Sequence, residues 1–307
     1  MRLVFAGTPE PAVPSLRRLA ASDHDIAAVV TRRDAPLGRK RVLTPSPVAA
    51  AAMELGIDTI RADRLDAETS ERIIALQPDL GVIVAYGGLV REPLLSAPVH
   101  GWLNLHFSLL PRWRGAAPVQ HALIAGDETT GASVFQLVAA LDAGDVFAEL
   151  EHRPAEGDTA GDVLGALADS GAQLLESVVD AIAAGTAIPR PQQGEPTYAP
   201  KLGDEDGRIR WDERRIAVLG RFRGVTPEPG AHTTVDGARL KVLGLRAASA
   251  DAPRLPAGEM ALHDRAVLVG TATDPVTLER VQPAGKGAMN AGDWWRGLRS
   301  ASPVAGS

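Results

Sequence analysis

Residues 101–120 read GWLNLHFSLLPRWRGAAPVQ. Trp102-Leu103-Asn104-Leu105-His106 has the composition of a buried strand, yet it carries two polar side chains two positions apart. Residues i and i+2 of a strand point to one face, so Asn104 and His106 are expected to project together. A carboxamide can donate to a carbonyl oxygen that turns negative, and an imidazole can carry a proton near neutral pH. Ser108-Leu109-Leu110-Pro111 and Arg112-Trp113-Arg114-Gly115 then form a turn-rich basic loop, and Pro118 opens a helix to about Ala125. Further on, Leu141-Asp142-Ala143-Gly144-Asp145 places a carboxylate just before a tight glycine turn. Each piece has a plain reading too: a polar pair fits a satisfied buried network, and Asp and Gly favour turns in any case.

Upstream, the pattern is that of a doubly wound α/β sheet. A strand over about Leu3–Ala6 runs into Gly7-Thr8-Pro9, where Thr8 is expected to cap a helix with Val13, Leu16 and Leu19 on its inner face. A single glycine at this turn is no dinucleotide fingerprint, which disfavours NAD. A second strand is predicted over Ile26–Val30, and helices over about 48–55 and 68–76. Leu80–Ala85 is a continuous apolar run, as expected of a parallel strand covered on both faces. Tyr86-Gly87-Gly88 lies at its carboxyl end, where open sheets place ligands. Strands over Ala132–Leu137 and Val146–Leu150 flank the Asp142 turn, and a helix over about Thr159–Ala184 closes a first domain at Gly185.

Between strand and helix, residues 31–47 form a long stretch expected to be structureless, with Arg39, Lys40 and Arg41 at its basic centre. Such a charge run is either a solvated surface or a mobile clamp for phosphates. Downstream, residues 186–206 are rich in Pro, Gln and Gly and read as a linker. After a helix near Glu213–Phe222 come short strands, including an Asp236-Gly237 hairpin signal, that suggest a small barrel of the OB type. The expected organisation is 1–185, a linker over 186–206, and 207–307.

The order Asn104-x-His106-x-Ser108-Leu109-Leu110-Pro111, then Arg114-Gly115, then Leu141-Asp142-x-Gly144 resembles the signature of the formyltransferases that use 10-formyltetrahydrofolate. Arg112-Trp113-Arg114-Gly115-Ala116-Ala117-Pro118 narrows the resemblance to the branch acting on initiator methionyl-tRNA. The resemblance implies a Rossmann-like catalytic domain and an OB-like barrel. It implies that Asn104, His106 and Asp142 are catalytic, with Asp142 holding the imidazole protonated. It implies that backbone groups of Ala85, Tyr86, Gly87 and Leu89, together with Ser108, Leu109, Leu110 and Pro111, line the folate pocket. A cis Leu110-Pro111 bond is also implied. It assigns Arg39, Lys40 and Arg41 to tRNA, and Arg112 and Arg114 either to tRNA or to loop solvation. Gly88, and Thr226-Pro227-Glu228-Pro229 where the family carries an aromatic, depart from the usual pattern.

Composition sets outer bounds. The chain has 307 residues and no cysteine, which excludes disulfides and thiolate metal sites. Seven histidines without HxH or HExxH spacing support no metal centre. No run approaches the length of a membrane span, and no secretory h-region opens the chain, so the cytoplasm is expected; a monomer is the expected state. A net charge of −6 requires any RNA to be met by a local basic patch. Other readings are a glycinamide ribonucleotide formyltransferase, a formyltetrahydrofolate hydrolase, or a non-catalytic RNA-binding protein. Ser108 beside His106 invites a serine nucleophile, but no GxSxG elbow is present.

Overall fold

In a computed structural model, which describes residues 1–38, 41–298, 300 and 302–307, the apolar runs become the centre of a seven-stranded sheet. Its strand order is 146–152, 130–136, 102–106, 80–84, 2–7, 25–31, 59–61. The five strands from Trp102–His106 to Thr59–Arg61 run parallel, and the last two pair antiparallel at the other edge. Leu80–Val84 is buried at every position, as a strand covered on both faces must be. From the Arg2–Gly7 strand the chain first builds outward to 25–31 and 59–61, then crosses to 80–84 on the other side. Gly7-Thr8 and Ala85–Gly88 therefore flank the switch point, where open α/β sheets form their crevice.

The helix boundaries follow local chemistry. Ser46 caps the Pro47–Glu54 helix by accepting from the Ala49 N–H at 3.0 Å, and Asp66 caps Ala67–Ala75 through Thr69 at 2.9 Å. Thr8 does not cap: the first turn is a short 3₁₀ segment, Glu10–Ala12, entered from Pro9, and the Thr8 hydroxyl is buried without a partner. The 31–47 stretch is not structureless either. Ala35–Leu37 and Val42–Thr44 pair as a small antiparallel hairpin, turned at Gly38 and Arg41, both at positive φ. Arg39 and Lys40 lie outside the described residues.

The chain forms two compact units. The first comprises Met1–Pro118, Thr129–Arg153 and Leu164–Ala199, and the second Val119–Glu128, Pro154–Val163 and Pro200–Ser307. Two short excursions thus join the second unit from within the sequence span of the first. Much of the 186–206 stretch belongs to the first unit: Arg190 exchanges two backbone bonds with Val146, and Tyr198–Ala199 pairs with Arg114–Gly115.

The second unit is an antiparallel sheet ordered 232–235, 238–247, 276–283, 266–269, 260–263. Its hairpin turns at Asp236-Gly237, both at positive φ, as a two-residue turn of this kind demands. Val304 bridges Glu259 and Ala305 bridges Val235, so the final residues join the two outer strands and close an OB-like barrel. Trp211, Val218, Phe222, Val242, Val267 and Leu278 fill it. This closing segment carries no alternating pattern, so the sequence alone does not announce it.

Candidate active site

Asn104 and His106 lie in the strand between its parallel neighbour 80–84 and its antiparallel neighbour 130–136, opposite Phe135 and Ser133 respectively. The flanking Leu103 and Leu105 are buried, while Asn104 is half-exposed. The Asn104 carboxamide has no hydrogen-bond partner among the described residues. A polar group poised beside a buried strand and left unpaired is available to a ligand.

His106 is 6 % exposed, and its two nitrogens have different neighbours. Nε2 lies 2.9 Å from the Trp113 carbonyl, which only accepts, so Nε2 carries the hydrogen. Nδ1 faces Asp142 Oδ2 at 3.8 Å. The other approach to that carboxylate is occupied by the Gly115 N–H, which donates to Oδ2 at 2.7 Å. Burial pushes the His106 imidazole below its ordinary value, against the opposing pull of the Asp142 carboxylate and the Trp113 carbonyl. Burial thus works against the protonated histidine that Asp142 is expected to hold, while the carboxylate beside Nδ1 favours the charge.

That direction fixes a sign for stability. The unfolded imidazole protonates near 6.5 and the folded one below it, so the unfolded chain binds the extra proton between those values. The contribution is present above about pH 6.5 and is lost as pH falls toward the lowered folded value. Urea unfolding from about pH 7 to about pH 5 should show the parent chain losing more stability than His106→Asn. Equal losses would contradict a depressed histidine.

The loop after His106 is fixed by its own side chains. The buried Ser108 hydroxyl donates to the Arg112 carbonyl at 2.6 Å, closing the turn. Ser133 accepts from the Leu110 N–H at 3.1 Å and donates to the Ser108 carbonyl at 2.7 Å. Leu110-Pro111 is cis, as the resemblance implied, and both residues are buried while Leu109 is half-buried. With its hydroxyl used in this way, Ser108 is a loop brace. Ser108→Ala should keep turnover within about tenfold of the parent and cost about 0.5–1.5 kcal/mol in unfolding free energy. Loss of all activity in a folded variant would revive the nucleophile reading.

The segment after Leu80–Val84 alternates. Ala85, Gly87 and Leu89 are exposed, whereas Tyr86 turns into the core, donates to the Ala62 carbonyl at 2.8 Å and has its phenol pushed up to about 12 by burial. Its ring lies against Gly88, so that departure from the family pattern makes room for Tyr86. Arg32 donates to the Gly87 carbonyl at 3.3 Å, tying this loop to the end of the Asp25–Thr31 strand.

Among the residues read as basic contacts, Arg41 is exposed on the hairpin and Arg112 lies over the Trp113 ring at 5.3 Å. Arg114 is half-buried, and its guanidinium donates twice to Gln192 Oε1, at 3.2 and 2.5 Å. Its fork is turned inward to the protein. Gln192 and Ser133 were not singled out from sequence. Ser133 left a faint signal, a small polar residue inside an apolar strand; Gln192 left none within a Gln/Pro/Gly-rich stretch.

The formyl transferase pattern matches residues 1–179, and the pattern of the formyl transferase C-terminal domain matches 201–299. The chain belongs to the formyl transferase family. It is 62% identical to the methionyl-tRNA formyltransferase of Clavibacter sepedonicus over 99% of this chain and 100% of that one. Among solved structures, the N-formyltransferase from Helicobacter canadensis, in complex with folinic acid and dTDP-3-aminofucose, superposes with a TM-score of 0.69 at 14% identity. It covers 92% of this chain and 98% of its own. Glycinamide ribonucleotide transformylase 1 from Symbiobacterium toebii gives a TM-score of 0.53 at 20% identity. It covers 63% of this chain and 94% of its own. The shared fold with these two extends over nearly the whole formyl transferase chain in one case and under two thirds of it in the other.

Proposed function

We propose that this chain transfers the formyl group of 10-formyltetrahydrofolate to the α-amine of initiator methionyl-tRNA. The observation that carries the reading is the 62% identity to a methionyl-tRNA formyltransferase along the full length of both chains. That match includes the second unit, where residues 201–299 fit the formyl transferase C-terminal domain.

In this reading the neutral amine attacks the formyl carbon and the carbonyl oxygen becomes an oxyanion. The unpaired Asn104 carboxamide donates to that oxygen. His106 Nδ1 takes the proton that the attacking nitrogen sheds, Asp142 stabilises the imidazolium, and the same proton passes to the departing folate nitrogen. No net proton is gained or lost by the enzyme. Asp142 is suited to this because it is buried beside the imidazole and its Oδ2 is fixed by a backbone donor.

The folate would lie along Ala85, Tyr86 (by its backbone), Gly87 and Leu89 and along Ser108, Leu109, Leu110 and Pro111. The tRNA would meet Arg39, Lys40 and Arg41, with Arg112 nearer the reaction centre. The hairpin supports this: Leu37, Val42 and Leu43 are 67, 60 and 65% exposed, an apolar tip among cations that suits stacked bases and phosphates together. Arg114, with its fork engaged by Gln192, we assign to positioning instead. Catalysis would rest on the first unit, which takes in the 186–206 stretch as far as Ala199, with 207–307 adding RNA contacts to those of the 31–47 segment, in a cytoplasmic monomer. Among the described residues no helix is long and apolar enough to cross a membrane.

The test is incubation with 10-formyltetrahydrofolate and, in turn, charged initiator tRNA, glycinamide ribonucleotide, and water alone. Formyl transfer to the charged tRNA only is expected. Equal consumption of the folate in water, or transfer to the ribonucleotide, would overturn the proposal.

A further inference from the structure

Asp142 sits at φ 45°, a left-handed conformation uncommon outside glycine. From that turn the carboxylate reaches both the Gly115 N–H and His106. Gly144 adds a steric constraint, since a Cβ at that position would meet the Gln136 carbonyl at 1.8 Å. The remaining restraint comes from across the chain. The Gln192 amide donates from Nε2 to the Asp142 carbonyl and to the Gly144 carbonyl, each at 2.8 Å. Its oxygen accepts from the Arg114 fork. Both N–H groups and the oxygen of one side chain are thereby used, and two of the three contacts are on the catalytic turn itself.

Arg114 stands between Trp113, whose carbonyl orients the His106 ring, and Gly115, whose N–H holds Asp142. The backbone of 113–116 is in turn pinned by the segment after Gln192. Thr197 accepts from the Trp113 N–H through its hydroxyl at 2.9 Å and from the Arg114 N–H through its carbonyl at 2.8 Å. The Ala199 carbonyl accepts from the Ala116 N–H at 2.9 Å. Gly115 permits this approach: it lies at φ +126°, and a Cβ there would meet the Ala199 carbonyl at 2.7 Å.

We propose that Gln192 is a positioning residue for formyl transfer, its amide locking the Asp142–Gly144 turn to Arg114 so that the carboxylate faces His106. This rests on the catalytic reading given above. Glutamine is required, not merely a polar residue of that length. A glutamate would keep a partner for the Arg114 fork but would set oxygen against the Asp142 and Gly144 carbonyls, with no hydrogen to offer either.

Gln192→Glu therefore separates the clamp on the turn from the anchor on Arg114. Single-turnover formylation of charged initiator tRNA should slow about 10- to 100-fold, with KM for folate and tRNA changed less than about threefold, as expected when a reacting group is displaced rather than a binding group lost. In an Asp142→Asn background the same substitution should change the rate less than about twofold, because the group it positions is already gone. A rate within twofold of the parent in the Gln192→Glu single variant would overturn the proposal, and so would equal losses in both backgrounds. Should Gln192→Glu not fold, Gln192→Met fills similar volume without hydrogen bonds and enters the same cycle with the same expected outcomes. A parent chain inactive toward charged tRNA would sink the functional reading along with this one; an active parent with fully active Gln192 variants would sink this one alone.

Discussion

Asp142→Asn should lower turnover at least a hundredfold while leaving the chain folded. General acid–base help is worth roughly 10²–10⁴ in rate, and an amide retains the shape of the carboxylate but not its charge. The asparagine carbonyl oxygen still accepts from the Gly115 N–H that now donates at 2.7 Å, so the local turn survives. What is lost is the stabilisation of the imidazolium. Burial already depresses His106, and the carboxylate is the larger of the two influences opposing it. Without it the histidine falls further, and a neutral imidazole persists to lower pH. The acid limb of kcat/KM should therefore move to lower pH in Asp142→Asn, while the plateau drops. A variant that keeps more than about a tenth of the parent rate, or whose acid limb moves upward, would show that Asp142 does not act through His106.

The 102–106 strand was legible as a buried strand with an exception, two polar residues at spacing two, although that pair alone fits a satisfied buried network as well as a reaction centre. The parallel strands were equally clear, since 80–84 is apolar without alternation and both faces are covered. Other features are determined by tertiary contact and leave weaker marks. The 31–47 stretch contains Pro36, Pro45 and Pro47 and scattered charges, and the three-residue strands within it form only because they pair with each other. Thr8 had the identity and place of a cap, but the chain entered its first turn through Pro9. Arg114 lay in a run of cations that read as one surface, yet its guanidinium meets Gln192, 78 positions away, a partner no local pattern can show. Gln192 itself sat in a stretch whose composition said linker; its contacts with the Asp142 turn come from a segment in which Arg190 pairs with Val146 at the sheet edge. The barrel strands were predicted from hairpin turns and alternation, whereas the closing residues 304–305 join two edges that sequence does not reveal to be near each other.

The second large effect is expected at Asn104, and for the opposite structural reason. Asp142 is held by several groups, whereas the Asn104 carboxamide has no partner among the described residues and is half-exposed. Its removal forfeits nothing in the folded chain, so Asn104→Ala should leave the melting temperature unchanged or slightly raised. The rate should nevertheless fall by about 10²–10³, the usual consequence of deleting one oxyanion donor. Because the hydrogen bond strengthens as the formyl oxygen gains charge, the loss belongs in kcat, with KM for the folate nearly constant. Asn104→Asp should be worse than alanine, since a carboxylate cannot donate and repels the developing oxyanion. Thermal unfolding and steady-state formylation of the same three proteins decide it. A large drop in melting temperature would mean that the side chain is structural, and a raised KM with kcat intact would mean that it binds the folate without assisting the chemistry.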